Sequence, residues 1–213
     1  MAGIIDRGGS WFDPDLTLES VESAPSTITL QVNLIGTAWF IRVALHYLRA
    51  GKASSEDKSL VLFSSAASFL DAPDMPLYQC TKHGVQGLMR CLRPVSYKQA
   101  GIRVNTVNPS MTETRMSAVH TNALQQFKAT GMAVNSPLDV ANYVVALLAK
   151  PTWANAPLTR KALFIEGGLA WEMETGMYDP KTMAIWLRSG PTQRLFKGLA
   201  KVLEKQGRVK VCE

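Results

Sequence analysis

SLVLFSSAASFLDAPDMPLYQCTKHGVQGL, residues 59–88, is the stretch whose reading decides the fold. It opens on a continuous apolar run, Ser59 to Ser65, too short for a helix and typical of a strand buried on both faces. It closes on a helical pattern carrying Tyr78 and Lys82. Positions i and i+4 share one helix face, so the phenol and the ammonium point into the same space. A free phenol titrates near ~10, and a nearby cation favours the phenolate. The spacing therefore predicts a Tyr78 pKa pulled toward neutrality. A tuned tyrosine passes a proton to or from an alcohol or carbonyl oxygen, and Ser65, at the strand end, is placed to bind the same oxygen. That arrangement suits carbonyl/carbinol redox chemistry, which needs a hydride carrier.

Outward from this stretch, helices alternate with short apolar strands. A long helix is predicted over residues 25–49, with Gly51 as its stop. The helix carrying Tyr78 and Lys82 runs to Ala100 and ends at Gly101; Pro94 inside it should kink or interrupt it. IRVNTV (102–107) reads as a second strand, and KALFIEGG (161–168) as a third, stopped by two glycines. Ser136-Pro137-Leu138-Asp139 starts a helix running to about Ala149: an N-cap serine, proline at the first helical position and a carboxylate in the first turn. Strand–helix–strand–helix–strand predicts an α/β fold with a parallel sheet and right-handed crossovers.

At 213 residues and 46% apolar, the chain can bury a core as one domain. No apolar run approaches the ~20 residues of a membrane span, and the first residues do not resemble a signal peptide. The three cysteines, Cys80, Cys91 and Cys212, have no metal-ligand spacing, and no metal is expected. Cys80 and Cys91 should share a helix face and pack as small apolar residues, which fits a reducing cytoplasm. The net charge of +6 is carried wholly by residues 181–213, where eight Lys and Arg face two acidic residues. Leu195, Leu199, Val202 and Leu203 add an apolar stripe, so this tail reads as a basic amphipathic helix following a domain of residues 1–180. Nothing aromatic is interleaved to support base stacking, and neither nucleic acid nor membrane is expected as a partner.

Five stretches, in order, resemble the short-chain dehydrogenase/reductase family over residues 2 to about 172. Ala2-Gly3-Ile4 is similar to the end of the Asn-Ala-Gly turn after the fourth strand. Val32-Asn33-Leu34-Ile35-Gly36 is similar to the family's Asn-bearing helix. Ser64-Ser65-Ala66-Ala67-Ser68 resembles the catalytic-serine strand end, and Tyr78 to Val85 the Tyr/Lys motif. Gly101 to Met116, through Asn105, Pro109, Ser110, Thr112 and Thr114, resembles the loop that closes over the nicotinamide and pyrophosphate. The wording after Lys82 is similar to the branch of 15-hydroxyprostaglandin dehydrogenases and fungal secondary-metabolite dehydrogenases.

The resemblance implies a Rossmann-like parallel sheet with flanking helices and NAD or NADP as cofactor, used to interconvert a secondary alcohol and a ketone. It implies roles residue by residue. Tyr78 is the general acid/base, and Lys82 lowers its pKa and holds the nicotinamide ribose. Ser65 hydrogen-bonds the substrate oxygen, and Asn33 holds a water in a proton relay through Lys82. Pro109, Thr112 and Thr114 line the cofactor loop, and Arg42 sits where many members place a basic cofactor contact. The helices near 25–49 and 76–100 resemble those through which members form homo-oligomers.

Two departures stand out. Ser110 occupies a position where the family usually has glycine. The chain also has no Gly-rich phosphate turn, so the N-terminal βαβ units, four of the family's seven strands, are expected to precede residue 1. An incomplete reading of an ordinary oxidoreductase is the favoured expectation. The alternatives are an inactive short form acting as a partner subunit, or a cofactor-independent lyase, isomerase or cyclase using Ser65, Tyr78 and Lys82.

Overall fold

The structure, a computed structural model, describes residues 3–6, 11, 15–50, 57–72, 74–118, 123–129, 131–149, 152–153 and 156–174. Two compact units divide the chain, Met1–Glu172 and Met173–Glu213. The tail predicted over 181–213 lies outside the described residues, as does Gly51.

A four-stranded sheet organises the first unit. Its strands are β1 (Lys58–Phe63), β2 (Ile102–Pro109), β3 (Ala162–Glu166) and β4 (Leu169–Glu172), in the order β1-β2-β3-β4. β1 and β3 both pair parallel to β2, with Lys58 opposite Ile102 and Thr106 opposite Ala162. β4 pairs antiparallel to β3 and is absent from the sequence-based reading. The predicted third strand stops at Glu166 because Gly167 and Gly168 adopt φ of +56° and +76°, the left-handed pair that a two-residue hairpin turn requires. A side chain at Gly167 would also bring its Cβ within 2.4 Å of the Ala133 methyl.

Helices α2 (Pro76–Ala100) and α3 (Pro137–Ala149) pack on this sheet, and α1 (Ile28–Ala50) packs against α2. The strand period of two sends Ile102, Val104, Thr106 and Asn108 to one face of β2 and Arg103, Asn105 and Val107 to the other. The first face meets α2, whose Gln86 accepts a hydrogen bond from Thr106. The second meets α3, where Val107, Ile165, Val140 and Leu147 form a buried apolar cluster. Residues 102–108 of β2 are all buried, as expected of a central parallel strand. The interruption predicted at Pro94 does not occur: α2 runs through it, and Pro94 is exposed, so water can take the carbonyl that its missing N–H leaves free.

One polar side chain ties the second face together. Arg103 is 1% exposed, yet every donor of its guanidinium is used. Nε and Nη2 fork onto Asp57 at 2.7 and 2.6 Å, Nη1 donates to the carbonyls of Leu147 and Leu158, and Nη2 to that of Leu148. Arg103 thus closes the C-terminal end of α3 onto the sheet, supplying donors to carbonyls that a helix end leaves orphaned.

Two sequence expectations are corrected here. Cys80 and Cys91 are exposed, not packed, because they lie on the outer stripe of α2 with His83, Gly87 and Val95. α1 is long and apolar enough, by length and composition, to cross a membrane, although no such run was expected. Its buried positions include Thr29, Asn33 and Ile41, while Ile35, Trp39, Phe40, Val43 and Tyr47 are exposed in the single chain.

Candidate active site

The site forms where β1 ends against the first turns of α2. Ser65 follows β1 in extended backbone and caps the short 3-10 turn Ala66–Ser68, its hydroxyl accepting from the Ala67 N–H at 3.3 Å. The Ser65 side chain also hydrogen-bonds Tyr78. One turn further along α2, the Lys82 ammonium lies 5.2 Å from the Tyr78 ring centroid. The structure therefore brings Ser65, Tyr78 and Lys82 together.

Their electrostatics differ from the sequence expectation. The Tyr78 pKa is raised, not pulled toward neutrality: burial penalises the phenolate more than the Ser65 hydrogen bond favours it. Lys82 is 8% exposed, and burial lowers its pKa to about 8. No hydrogen bond or ion pair from a described residue compensates the ammonium. A buried cation of this kind is costly unless a partner arrives. The folded pKa lies below the unfolded 10.5, so between about 8 and 10.5 the unfolded chain binds more protons and stability rises with pH. Lys82→Met is expected to flatten this rise and to be the more stable form near pH ~7, where the penalty is at its full value, by on the order of 1–3 kcal/mol. Denaturant midpoints of both forms across that range check it, and parallel pH dependences would refute it.

The surrounding clamps hold these groups in place. Ser64 donates to the Lys82 carbonyl at 2.8 Å, and its N–H bonds the Val107 carbonyl at 2.8 Å, so α2 is fixed to the sheet at the lysine itself. Asp6 caps α2 from 71 residues away, its carboxylate accepting from the N–H groups of Leu77 at 2.9 Å and Tyr78 at 3.1 Å. Ser68 donates to the Ser65 carbonyl at 2.7 Å and touches Asn108 Oδ1 at 3.0 Å. Gly84 admits α1 closely: a Cβ there would stand 2.8 Å from Leu34 Cδ1.

Asn33 is buried in a widened π-helical turn, Gln31–Ile35, of the kind often found at functional sites. Its side chain is fully engaged. Oδ1 accepts from the Ile4 N–H, and Nδ2 donates to the Ile4 carbonyl and to Thr81, which in turn bonds the Tyr78 carbonyl. Asn33 thus braces Tyr78 through Thr81.

The predicted cofactor residues divide. Pro109 ends β2 and leads into the Ser110–Thr114 loop. Thr112 commits its hydroxyl proton to the Ser110 carbonyl at 3.0 Å. Thr114 caps the turn Arg115–Ala118, accepting from the Ser117 N–H at 3.4 Å, which leaves its own hydroxyl proton to donate. Arg42 is exposed on α1, and no bond joins it to these residues. Asp6, Ser64, Ser68, Asn108 and Asn135 were not singled out from the sequence. Only spatial proximity across long sequence separations identifies them.

Residues 2–125 match the short chain dehydrogenase family. The 5'-hydroxyaverantin dehydrogenase of Dothistroma septosporum is 30% identical over 172 residues, covering 79% of this chain and 55% of that protein. Chanoclavine-I dehydrogenase of Arthroderma otae is 29% identical over 158 residues, covering 70% and 59%. The chain thus spans about half the length of the curated relatives it matches. Among solved structures, the 3-oxoacyl-[acyl-carrier protein] reductase of Brucella melitensis in complex with NAD superposes with a TM-score of 0.65 at 24% identity, over 79% of this chain and 64% of that one. That likeness bears on the fold.

Proposed function

The chain belongs to the short-chain dehydrogenase family, and from that premise we propose that it takes part in hydride exchange between NAD or NADP and a secondary alcohol or ketone. The observation that carries the reading is the meeting of Ser65, Tyr78 and a buried Lys82 at one strand end. Lys82 and the hydroxyl of Thr114 fit a polyhydroxylated nucleotide, with Pro109 and Thr112 beside Thr114 and Arg42 as a further basic contact. Bound there, the dinucleotide supplies or accepts the hydride. Tyr78 donates its proton to the carbonyl oxygen in reduction and takes it back in oxidation. Its raised pKa suits the donor form. Ser65 hydrogen-bonds the same oxygen, and the Lys82 charge stabilises the phenolate as it forms. Asn33 would contribute to a proton relay through Lys82 as part of this reading, with its side chain bracing Tyr78 through Thr81.

The likeness to 5'-hydroxyaverantin and chanoclavine-I dehydrogenases supports a small-molecule alcohol or ketone substrate in fungal secondary metabolism. The solved neighbours carrying NAD and NADP support either cofactor. The second reading is a cofactor-independent lyase or isomerase that uses Ser65, Tyr78 and Lys82 for proton transfer alone. Calorimetry with NADH and NADPH, alongside turnover assays with and without them, separates the two. Dissociation at roughly millimolar or weaker is expected for these residues alone, because most pyrophosphate contacts of the family are not among them. Turnover without nicotinamide would favour the second reading.

The exposed Trp39, Phe40, Val43 and Tyr47 on α1 support self-association through this helix. Sedimentation should report a dimer or larger species, and a well-folded monomer at micromolar concentration would count against it.

A further inference from the structure

We propose that Asn135 is the positioning residue of the Ser110–Thr114 loop, adding bonds from outside to the few local ones of the segment. Asn135 is fully buried just before α3 and touches almost every residue of that loop. Its backbone N–H donates to the Met111 carbonyl at 2.9 Å, and its carbonyl accepts from the Glu113 N–H at 3.0 Å. Its side-chain Nδ2 donates to the Ile165 carbonyl at 2.9 Å and reaches Ser110 Oγ at 3.3 Å and Thr112 Oγ1 at 3.5 Å. Its Oδ1 accepts from the Gly168 N–H at 3.2 Å. One amide therefore joins the loop, the end of β3 and the β3–β4 turn.

This arrangement accounts for the serine at a glycine position. Ser110 has no positive φ, so nothing in its backbone demands glycine. Its N–H bonds the Ile165 carbonyl at 2.8 Å, the same oxygen that Asn135 uses, and its hydroxyl is a further partner for Nδ2. Ser110 and Asn135 act as a pair. The loop's freedom to move is traded for a fixed shape, and the shape is set by a residue 25 positions away.

The consequence for cofactor rests on the dehydrogenase reading; the ordering of the loop does not. Native-state hydrogen exchange on the full chain tests the ordering. Asn135→Ala should speed exchange of the Glu113 amide by at least ~10-fold, while Leu62 and Val104 in the sheet keep their protection. Ser110→Gly, a milder change should the first variant fold poorly, should speed it ~3-fold. The double variant should match Asn135→Ala alone, because both changes break one shared contact. Unchanged Glu113 protection in either single variant, or effects that simply multiply, would overturn the proposal. Where nicotinamide turnover is present, Asn135→Ala should raise the KM for the dinucleotide and leave kcat within ~2-fold; a fall in kcat at constant KM would overturn the assignment to the cofactor side. A parent protein that binds the dinucleotide but shows no nicotinamide turnover defeats the dehydrogenase reading, and the exchange data then decide the role of Asn135 by themselves.

Discussion

Tyr78→Phe is expected to lower turnover by at least ~10²-fold, the low end for loss of a general acid/base, in any form of the protein that binds the dinucleotide. The variant removes one oxygen and leaves the ring, so the packing around it survives. Substrate and cofactor should still bind, since Ser65 and Lys82 remain. The loss belongs in kcat. It should be accompanied by disappearance of the pH limb that Tyr78 controls. Because burial dominates Tyr78 electrostatics, that limb should lie on the alkaline side in the protein without ligand. Steady-state kinetics on both forms checks this, and an unchanged rate would remove Tyr78 from the chemistry.

Arg103→Met should destabilise the fold by roughly 3–5 kcal/mol, the range for breaking a buried ion pair by removing one partner. Asp57 contributes only part of this, since its side chain is 35% exposed and water can recover it. The larger share comes from three carbonyls that lose a charged donor: Leu148 loses its bond from Nη2, while Leu147 and Leu158 keep Ser59 at 3.5 Å and Asn105 at 3.0 Å as donors. For a domain of this size the loss should lower Tm by on the order of 10 °C. Arg103→Lys should rescue little, because a single ammonium cannot reproduce the planar fork onto Asp57 together with three carbonyls. Thermal and denaturant unfolding check both variants. A loss below ~1 kcal/mol would mean that α3 is held by its apolar contacts with Val107 and Ile165 alone.

How far these features could be read from the sequence depended on how local their causes were. The Ser136–Asp139 cap is local, and it forms reciprocally: the Ser136 N–H bonds Asp139, and the Asp139 N–H bonds Ser136. Gly101 ends α2 as the reading expected, and the structure shows it doing so in the left-handed conformation. The strand around Leu62 announces itself by a short apolar run, whereas the one around Val104 carries Arg103, Asn105 and Thr106 among its apolar residues. Ser65, Tyr78 and Lys82 were legible because their spacing combines a strand end with one helical turn. The clamps were not legible, since Asp6 caps a helix 71 residues away and Asn135 meets Ser110 through a fold that no periodicity encodes. The sign of the Tyr78 shift was misjudged for a related reason. The cation's nearness followed from the spacing, but the burial that raises the pKa depends on everything packed around the ring.

The central claim is that Ser65, Tyr78 and Lys82 serve proton transfer to an oxygen whose carbon exchanges a hydride with nicotinamide. Its most direct measurement follows an isotope. A secondary alcohol carrying deuterium on its carbinol carbon is incubated with the protein, supplied with the family's Gly-rich segment where dinucleotide affinity demands it, and with NAD or NADP. Deuterium should appear on the nicotinamide ring, at a rate that Tyr78→Phe cuts by at least ~10²-fold. Deuterium released to water, or substrate transformed with no label on the nicotinamide, would contradict the account and point to the lyase or isomerase chemistry.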